Sequence, residues 1–495
     1  MKTYSSFPEK VLIIGAGIGG LSTGIILAKL GFKVTVLEKN RKPGGLIRSY
    51  TREGMDCPVG IHYLGSLDEG QVLRRFFDYL GVTDAIPVER MGQGGVIDRY
   101  IFGSPHQNQT VFDLPQGLDA YEENLKKTFP EEQKTIDQIV APIRHATRQL
   151  HDLDLLYSTE NDFSLLDQAK PFGEILDNLN CSPGLRTVLA VPSSWIGVPL
   201  DDCPAFYHNM ALASYVSSSW RLKKTGAEMA DLFANRLQEL GGEIITGAEI
   251  DQVLVSSRVA TGLKLTSGEH FEADAIIGAV HPKVVLNMLP EGTVRPSYRQ
   301  RISGLKDTHG VFSVHARIDS EAHPEIPYNI FKLETDRYGN VPDLQYYQIR
   351  KTGKKSVNLL SILTSGRDDL WAPWQETKTG RRGKKYLAAK ESHARNLVEK
   401  AEKHFGPFRG LKIIDTYTPL TIRDWVNSPG GSAYGVLRSS SQMLATALLN
   451  RTSVKGLYLA GQNVMAPGVI GTIMGSFSTV KLILGACDFR KEINL

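Results

Sequence analysis

The sequence predicts an α/β fold: a Rossmann-like dinucleotide-binding domain, interrupted by an α+β substrate domain that is built on an antiparallel sheet and covered by a helical cap. Three observations predict it. An apolar run, a glycine turn and a helical stretch open the chain in the order of a βαβ unit. Strand-like segments of alternating polarity cluster between residues 310 and 363. A second strand, glycine turn and helix close the chain over residues 456–485 and return it to the first sheet.

In the opening unit, Val11-Leu12-Ile13-Ile14 is an apolar run suited to a buried parallel strand. Gly15, Gly17 and Gly20, with Ile18 and Gly19 between them, form a G-x-G-x-x-G turn that brings backbone N–H groups to a pyrophosphate. The helix behind the turn adds partial positive charge at its N-terminus. Val34–Leu37 is the second strand, and Glu38 follows it, 21 positions after Gly17. An acid there accepts hydrogen bonds from ribose hydroxyls and favours FAD or NAD over NADP. Residues 11–30 are apolar enough to suggest a membrane or signal segment. Five glycines between Gly15 and Gly24, and the flanks Glu9, Lys10 and Lys29, argue against that.

Length and composition narrow the classes. A chain of 495 residues predicts two or three domains, and 41% hydrophobic residues can bury large cores. A net charge of only +4 gives no reason to expect nucleic acid as partner. The four cysteines, Cys57, Cys181, Cys203 and Cys487, include no CxxC pair, which fits a reducing cytoplasm. The twelve histidines show no ligand spacing, so no metal is expected. No other apolar run is long enough to span a bilayer.

After Glu38 and Lys39, the pair Gly44-Gly45 lets the backbone pass close to a ligand. Leu46 and Ile47 follow, and Arg48 can reach a phosphate or the ring system. The segment Asp56–Gly65 reads as a strand and turn lining the far end of the cofactor, with His62 and Tyr63 facing the substrate. Glu38, Gly44-Gly45 and Val59-Gly60-Ile61-His62-Tyr63-Leu64-Gly65 together resemble the FAD-dependent phytoene desaturase superfamily, and most closely its retinol saturase and carotenoid isomerase branch. That superfamily shares the flavin fold of the amine oxidases. The resemblance covers most of the chain and is strongest at its two ends.

Residues 70–90 have helical spacing with Gly81 as a stop, and 96–102 and 110–114 alternate like short strands. Residues 117–156 turn helical, and a second, proline-broken helical tract runs from Phe163 to Tyr215. The region 70–215 reads as a cap. Trp195, Phe206, Tyr207, Met210 and Tyr215 pack its core or line an apolar pocket. Gly226–Gly242 is an amphipathic helix that leads into strand 243–245. The resemblance implies that Ile250 beyond it holds the adenine through its backbone. It also leads one to expect paired glycines before this helix, where the chain has Thr225-Gly226. Residues 252–272 suggest a β-meander and 275–279 another strand of the first sheet.

Four runs, Val311–Ile318, Tyr328–Glu334, Leu344–Ile349 and Ser356–Leu363, predict the antiparallel floor of the substrate domain. Trp371 and Trp374, then Lys378, Arg381, Arg382, Lys384 and Lys385, suggest peripheral contact of the 371–385 loop with an anionic membrane. After helix 384–405, the "TPLT … GSAYG" arrangement at 418–421 and 431–435 is similar to the retinol saturase branch. Near the C-terminus, Gly461 and Gln462 follow the last strand, and Gly468, Val469 and Gly471 open the last helix. Its N-terminus can stabilise negative charge on a reduced ring. The expected domains are therefore 1–69, 216–295 and 450–495 for FAD, with 70–215 and 296–449 for substrate and cap.

The chain carries one dinucleotide motif, so a dedicated nicotinamide domain is not expected. NADPH or NADH would reach the flavin by transient docking, or electrons would leave to oxygen or a quinone. The resemblance implies chemistry on carbon–carbon double bonds of a hydrophobic conjugated polyene: saturation, isomerisation or desaturation. In it His62 would supply a proton near neutral pH and Tyr63 would orient substrate. Reductive cyclisation of a polyene polyketide, as in polycyclic tetramate macrolactam assembly, remains a related alternative. Two others differ in class. One is a prenyl-binding escort like the Rab escort and GDP-dissociation-inhibitor proteins, against which the intact glycine turn and Glu38 argue. The other is an amine oxidase.

Overall fold

The computed structural model describes residues 8–103, 109–157 and 169–495. The start of the helical tract placed at Phe163 lies outside the described residues. Five short parallel strands form the first sheet, in the spatial order Glu243–Thr246, Lys33–Glu38, Lys10–Ile14, Ala275–Gly278 and Leu457–Leu459. Val11, Leu12 and Ile13 are fully buried, as expected for a strand covered on both faces. The helices Ile18–Lys29, Gly226–Glu239 and Gly468–Leu484 pack on one face of this sheet through Leu21, Ile25, Phe233, Leu237, Ile473 and Phe477. On the other face the antiparallel meander Ile250–Ser256, Val259–Leu265 and His270–Glu272 contributes Val253 and Leu263 to a second core.

The substrate-domain sheet is larger than the four runs predict. It has seven strands, in the order Lys412–Tyr417, Val311–Asp319, Val357–Ser365, Asp343–Lys351, Asn329–Glu334, Asp98–Phe102 and Thr110–Leu114. Its pairings are antiparallel except that Asn329–Glu334 runs parallel to Asp98–Phe102. The sheet is therefore mixed, because its edge hairpin comes from a distant part of the chain. Helices Leu118–Thr128, Gln133–Asp152, Pro183–Ser194 and Ala205–Ser217 cover one face, and Gly383–Phe405 covers the other.

Packing groups the elements somewhat differently from the sequence boundaries. Helix Val72–Leu80 ends at Gly81 in the left-handed conformation, with φ of 75°. It buries Val72, Phe76 and Phe77 in the core beside the parallel sheet, not in the cap.

The tryptophans of the 371–385 loop do not face solvent together. Trp371 is 1% exposed. Its ring lies parallel to that of Phe312, with centroids 5.5 Å apart, and its indole N–H donates to the Gly366 carbonyl at 2.6 Å. Trp374 packs against Tyr386. Arg382 is buried and paired with Asp424. The aromatic residues of this loop anchor helix 383–405 to the seven-stranded sheet, while Lys378, Arg381, Lys384 and Lys385 are exposed. Among the described residues no single helix is long and apolar enough to cross a membrane.

Candidate active site

A cleft runs along the carboxyl ends of the parallel strands and continues to the seven-stranded sheet. Ile14, Glu38, Ala279 and Ala460 line its near side, and Val311 and Leu363 its far side. Ligands of open parallel sheets sit in this place because the helix N-termini converge there. Two do so here. Helix Ile18–Lys29 starts at Gly17 and helix Gly468–Leu484 starts behind Pro467.

The glycines of the first turn play different parts. A Cβ on Gly17 would meet nothing within 4 Å, so the backbone is open to a ligand. A Cβ on Gly20 would lie 1.9 Å from the Gly15 carbonyl oxygen, so that glycine is required by the turn itself. Gly44 stacks on this turn, its N–H donating to the Ala16 carbonyl at 2.7 Å. Gly226 explains the missing glycine pair. A Cβ there would lie 1.8 Å from the Ile47 carbonyl oxygen. The close approach falls on Gly226, while Thr225 uses its side chain to cap the helix at the Glu228 N–H.

Glu38 is 5% exposed and fixed from two sides. One carboxylate oxygen accepts from the Ala16 N–H at 2.8 Å, and the other accepts from the Asn40 backbone and side-chain N–H groups at 2.9 and 2.8 Å. A fixed acid, an open glycine turn and two helix N-termini in one cleft fit a dinucleotide with a free ribose 2′-hydroxyl.

Of the residues singled out from the sequence, Gly15, Gly17, Ile18, Gly19, Glu38, Lys39, Gly44, Gly45, Leu46, Ile47, His62, Ile250, Gly461, Gln462, Gly468 and Val469 line the cleft. Gly20, Arg48, Gly471 and Tyr63 do not. Arg48 donates instead to the Lys42 carbonyl, which fixes the loop above the turn. Trp195, Phe206, Tyr207, Met210 and Tyr215 are also absent from the cleft lining. Trp195 meets Tyr215 edge-to-face behind Tyr63, with centroids 5.1 Å apart.

His62 faces the cleft with its ring centroid 5.1 Å from that of Tyr346. Burial, helped by the nearby His315 and by the cationic Arg350 and Arg221, lowers its pKa to about 3. The imidazole is neutral at pH 7, so the proton-donor role expected from an ordinary histidine is revised to hydrogen bonding by a neutral ring. Tyr63 turns away from the cleft. Its hydroxyl donates to Asp98 at 3.1 Å, and its ring lies 4.4 Å from that of Tyr215. Burial raises its pKa well above the usual phenol value.

Behind both residues lies a polar cluster that sequence reading missed. Asp98 is fully buried and accepts from Tyr63 and, at 2.7 Å, from the Asn329 side-chain amide. The Asn329 oxygen in turn accepts from Arg221 at 3.2 Å, Tyr346 at 2.9 Å and Gln348 at 3.3 Å. Strand alternation places Asp98 on the same buried face as Tyr100 and Phe102, a signal present in the sequence. Burial raises the Asp98 pKa to about 7, opposed by the Asn329 and Tyr63 hydrogen bonds and by Arg221.

The folded state therefore binds a proton at Asp98 between the ordinary carboxylate range and about pH 7. This contribution to stability is full at low pH and is lost as pH rises to about 7. Asp98→Asn removes the dependence. Its stability relative to the wild type is expected to rise by a few kcal/mol between pH 4 and 7 and then level off. Paired urea unfolding curves across that range measure the difference, and a flat difference would show that Asp98 does not titrate this way.

The fold and cleft define a dinucleotide-binding α/β protein. The pattern of the flavin containing amine oxidoreductase family matches residues 18–476, and the chain belongs to that family. It is similar to the all-trans-retinol 13,14-reductase of Danio rerio, at 23% identity over 97% of this chain and 87% of that protein. A 4,4'-diapophytoene desaturase (4,4'-diapolycopene-forming) of Methylomonas sp is 24% identical over 92% of this chain and 90% of its own length. These relatives belong to the phytoene desaturase and retinol saturase branch that the N-terminal motifs resemble. Among solved structures, putrescine oxidase bound to putrescine superposes with a TM-score of 0.63, covering 98% of this chain and 99% of that one, at 16% identity. At that identity the likeness shows the fold alone.

Proposed function

We propose that the protein uses bound FAD to reduce a carbon–carbon double bond in a hydrophobic conjugated polyene, with NADPH or NADH as the external electron donor. The uncharged far wall of the cleft carries this reading. Beyond the dinucleotide-facing residues, Val59, Val311, Leu363, Ile422, Ala433 and Tyr434 line it without a carboxylate or a cation. Of its titratable groups, His62 is held neutral, and burial raises the Tyr417 and Tyr434 hydroxyls above the usual phenol range. An ammonium substrate would find no carboxylate on this wall, only the Tyr417 and Tyr434 rings, whereas a polyene needs no counter-charge. The names of the Danio rerio and Methylomonas sp relatives, a retinol reductase and a carotenoid-type desaturase, support the same class.

Bound FAD supplies hydride transfer at its ring nitrogen. Gly17 and Gly468 would present backbone N–H groups to it, and Glu38 would accept from its ribose. His62 orients the polyene or its polar end through a neutral ring, and the apolar wall excludes water from the double bond.

Anaerobic reduction of the holoprotein with NADPH or NADH, followed by all-trans-retinol or a carotenoid, tests the proposal. The flavin should bleach with the nicotinamide and recover as the polyene absorption shifts to shorter wavelength. His62→Ala should lower turnover about tenfold with flavin content unchanged, the scale of one lost buried hydrogen bond. Amine turnover with peroxide release and an inert polyene would overturn the assignment.

A further inference from the structure

We propose that the turn at residues 443–448 is a docking tip for an anionic lipid bilayer. Leu444 and Leu448 stand 81% and 72% exposed. Leu448 holds the left-handed conformation, with φ of 51°, which a leucine rarely adopts. A strained backbone that presents a large apolar side chain to water points to a surface partner.

The charge around the tip selects the partner. Arg301 donates to the Ala447 carbonyl at 3.2 Å. The Arg451 N–H bonds the Leu448 carbonyl, and Leu437 bonds Lys306. Arg295 and Arg299 belong to the same short helical segment as Arg301. Besides the buried Arg438, the segments 295–307 and 436–455 together hold six basic residues and one acid, Asp307. That acid is already paired with His281 and Lys283. Asp202 is the acid in hydrogen-bond contact with the tip segment, and Ser441 satisfies it with both its N–H and its hydroxyl. Two exposed leucines within a basic surround match the acyl and headgroup layers of an anionic membrane.

The tip is also tied to the cleft. The side chain of Arg438 donates to the carbonyls of Thr446 and Asn463, and the Asn463 side chain accepts from the Val436 N–H at 2.9 Å. Asn463 lines the cleft. Docking there would set the cleft close to a reservoir of lipophilic molecules. The proposal rests on exposure and charge and does not depend on the identity of the substrate.

Flotation of the holoprotein with phosphatidylcholine vesicles, with and without phosphatidylglycerol, tests it. Binding is expected to need phosphatidylglycerol and to weaken as salt is raised. Leu444→Asp with Leu448→Asp should reduce binding at least tenfold, with flavin content and melting temperature retained. Arg295→Gln and Arg299→Gln should each reduce it about fivefold. No binding by the wild type, or undiminished binding by the double leucine variant, would overturn the proposal. So would a self-association that the leucine variant abolishes, since the tip would then cover a second copy of the chain.

Discussion

Gly20→Ala is expected to yield colourless protein. The new Cβ would lie 1.9 Å from the Gly15 carbonyl oxygen, and the turn has no room to retreat. The Gly15 N–H is bonded to the Leu37 carbonyl at 2.8 Å and the Ala16 N–H to Glu38. Relief must come from displacing the N–H groups that face the ligand. Overpacking of this kind costs about 1–3 kcal/mol, so flavin affinity should fall on the order of a hundredfold. Gly17→Ala separates fold from ligand. Its Cβ has open space, with nothing within 4 Å, and its φ of −70° suits alanine. The apoprotein should therefore keep its stability while flavin binding weakens, because the methyl occupies ligand space. Titration of apoprotein with FAD, followed by flavin fluorescence, measures both variants. Full flavin occupancy in Gly20→Ala would show that the turn tolerates the clash, and equal losses of stability in both variants would refute the division of roles.

The first βαβ unit was legible because its signals are local: four apolar residues, a glycine turn and an acid in 28 residues, Val11 to Glu38. The four runs between 311 and 363 were legible for the same reason, since alternation is written within each strand. What the sequence could not show depends on partners far along the chain. Trp371 and Trp374 beside a basic run look interfacial until Phe312, 59 positions earlier, is seen stacked on Trp371. Asp98 is separated from Asn329 by 231 positions. The parallel pairing of their strands is what joins them, and no local pattern encodes it. His62 lines the cleft, but its protonation follows from burial and from His315, Arg350 and Arg221, whose positions only the fold supplies. Tyr63, one residue on, points the other way, because the chain bends at His62 before the short strand Leu64–Gly65.

Asn329→Leu is expected to be the most destabilising substitution near the cleft. Asn329 is fully buried and joins five groups: it donates to Asp98, it accepts from Arg221, Tyr346 and Gln348, and through Asp98 it reaches Tyr63. Leucine fills a similar volume, so the loss is chiefly polar. Asp98 would keep only the Tyr63 hydroxyl, and Arg221 only the Ile326 carbonyl at 3.1 Å. Each buried polar group left unsatisfied costs about 1–3 kcal/mol, so the cluster as a whole should lose on the order of 5 kcal/mol. That is comparable with the entire stability of many domains, about 5–15 kcal/mol. Tyr346→Phe removes one hydrogen bond from the same oxygen and should cost about 1 kcal/mol. It keeps the ring against which His62 packs, so its turnover should stay near that of the wild type. If Asn329→Leu proves too unstable to purify, the Tyr346→Phe and Gln348→Leu pair still tests the cluster. Their losses should be close to additive, about 1 kcal/mol each, because Arg221 still donates to the Asn329 oxygen after both deletions. Urea unfolding reads these energies directly. An Asn329→Leu protein as stable as the wild type, or a Tyr346→Phe and Gln348→Leu pair that loses nothing, would mean that the buried acid is held by its burial site alone and not by the cluster.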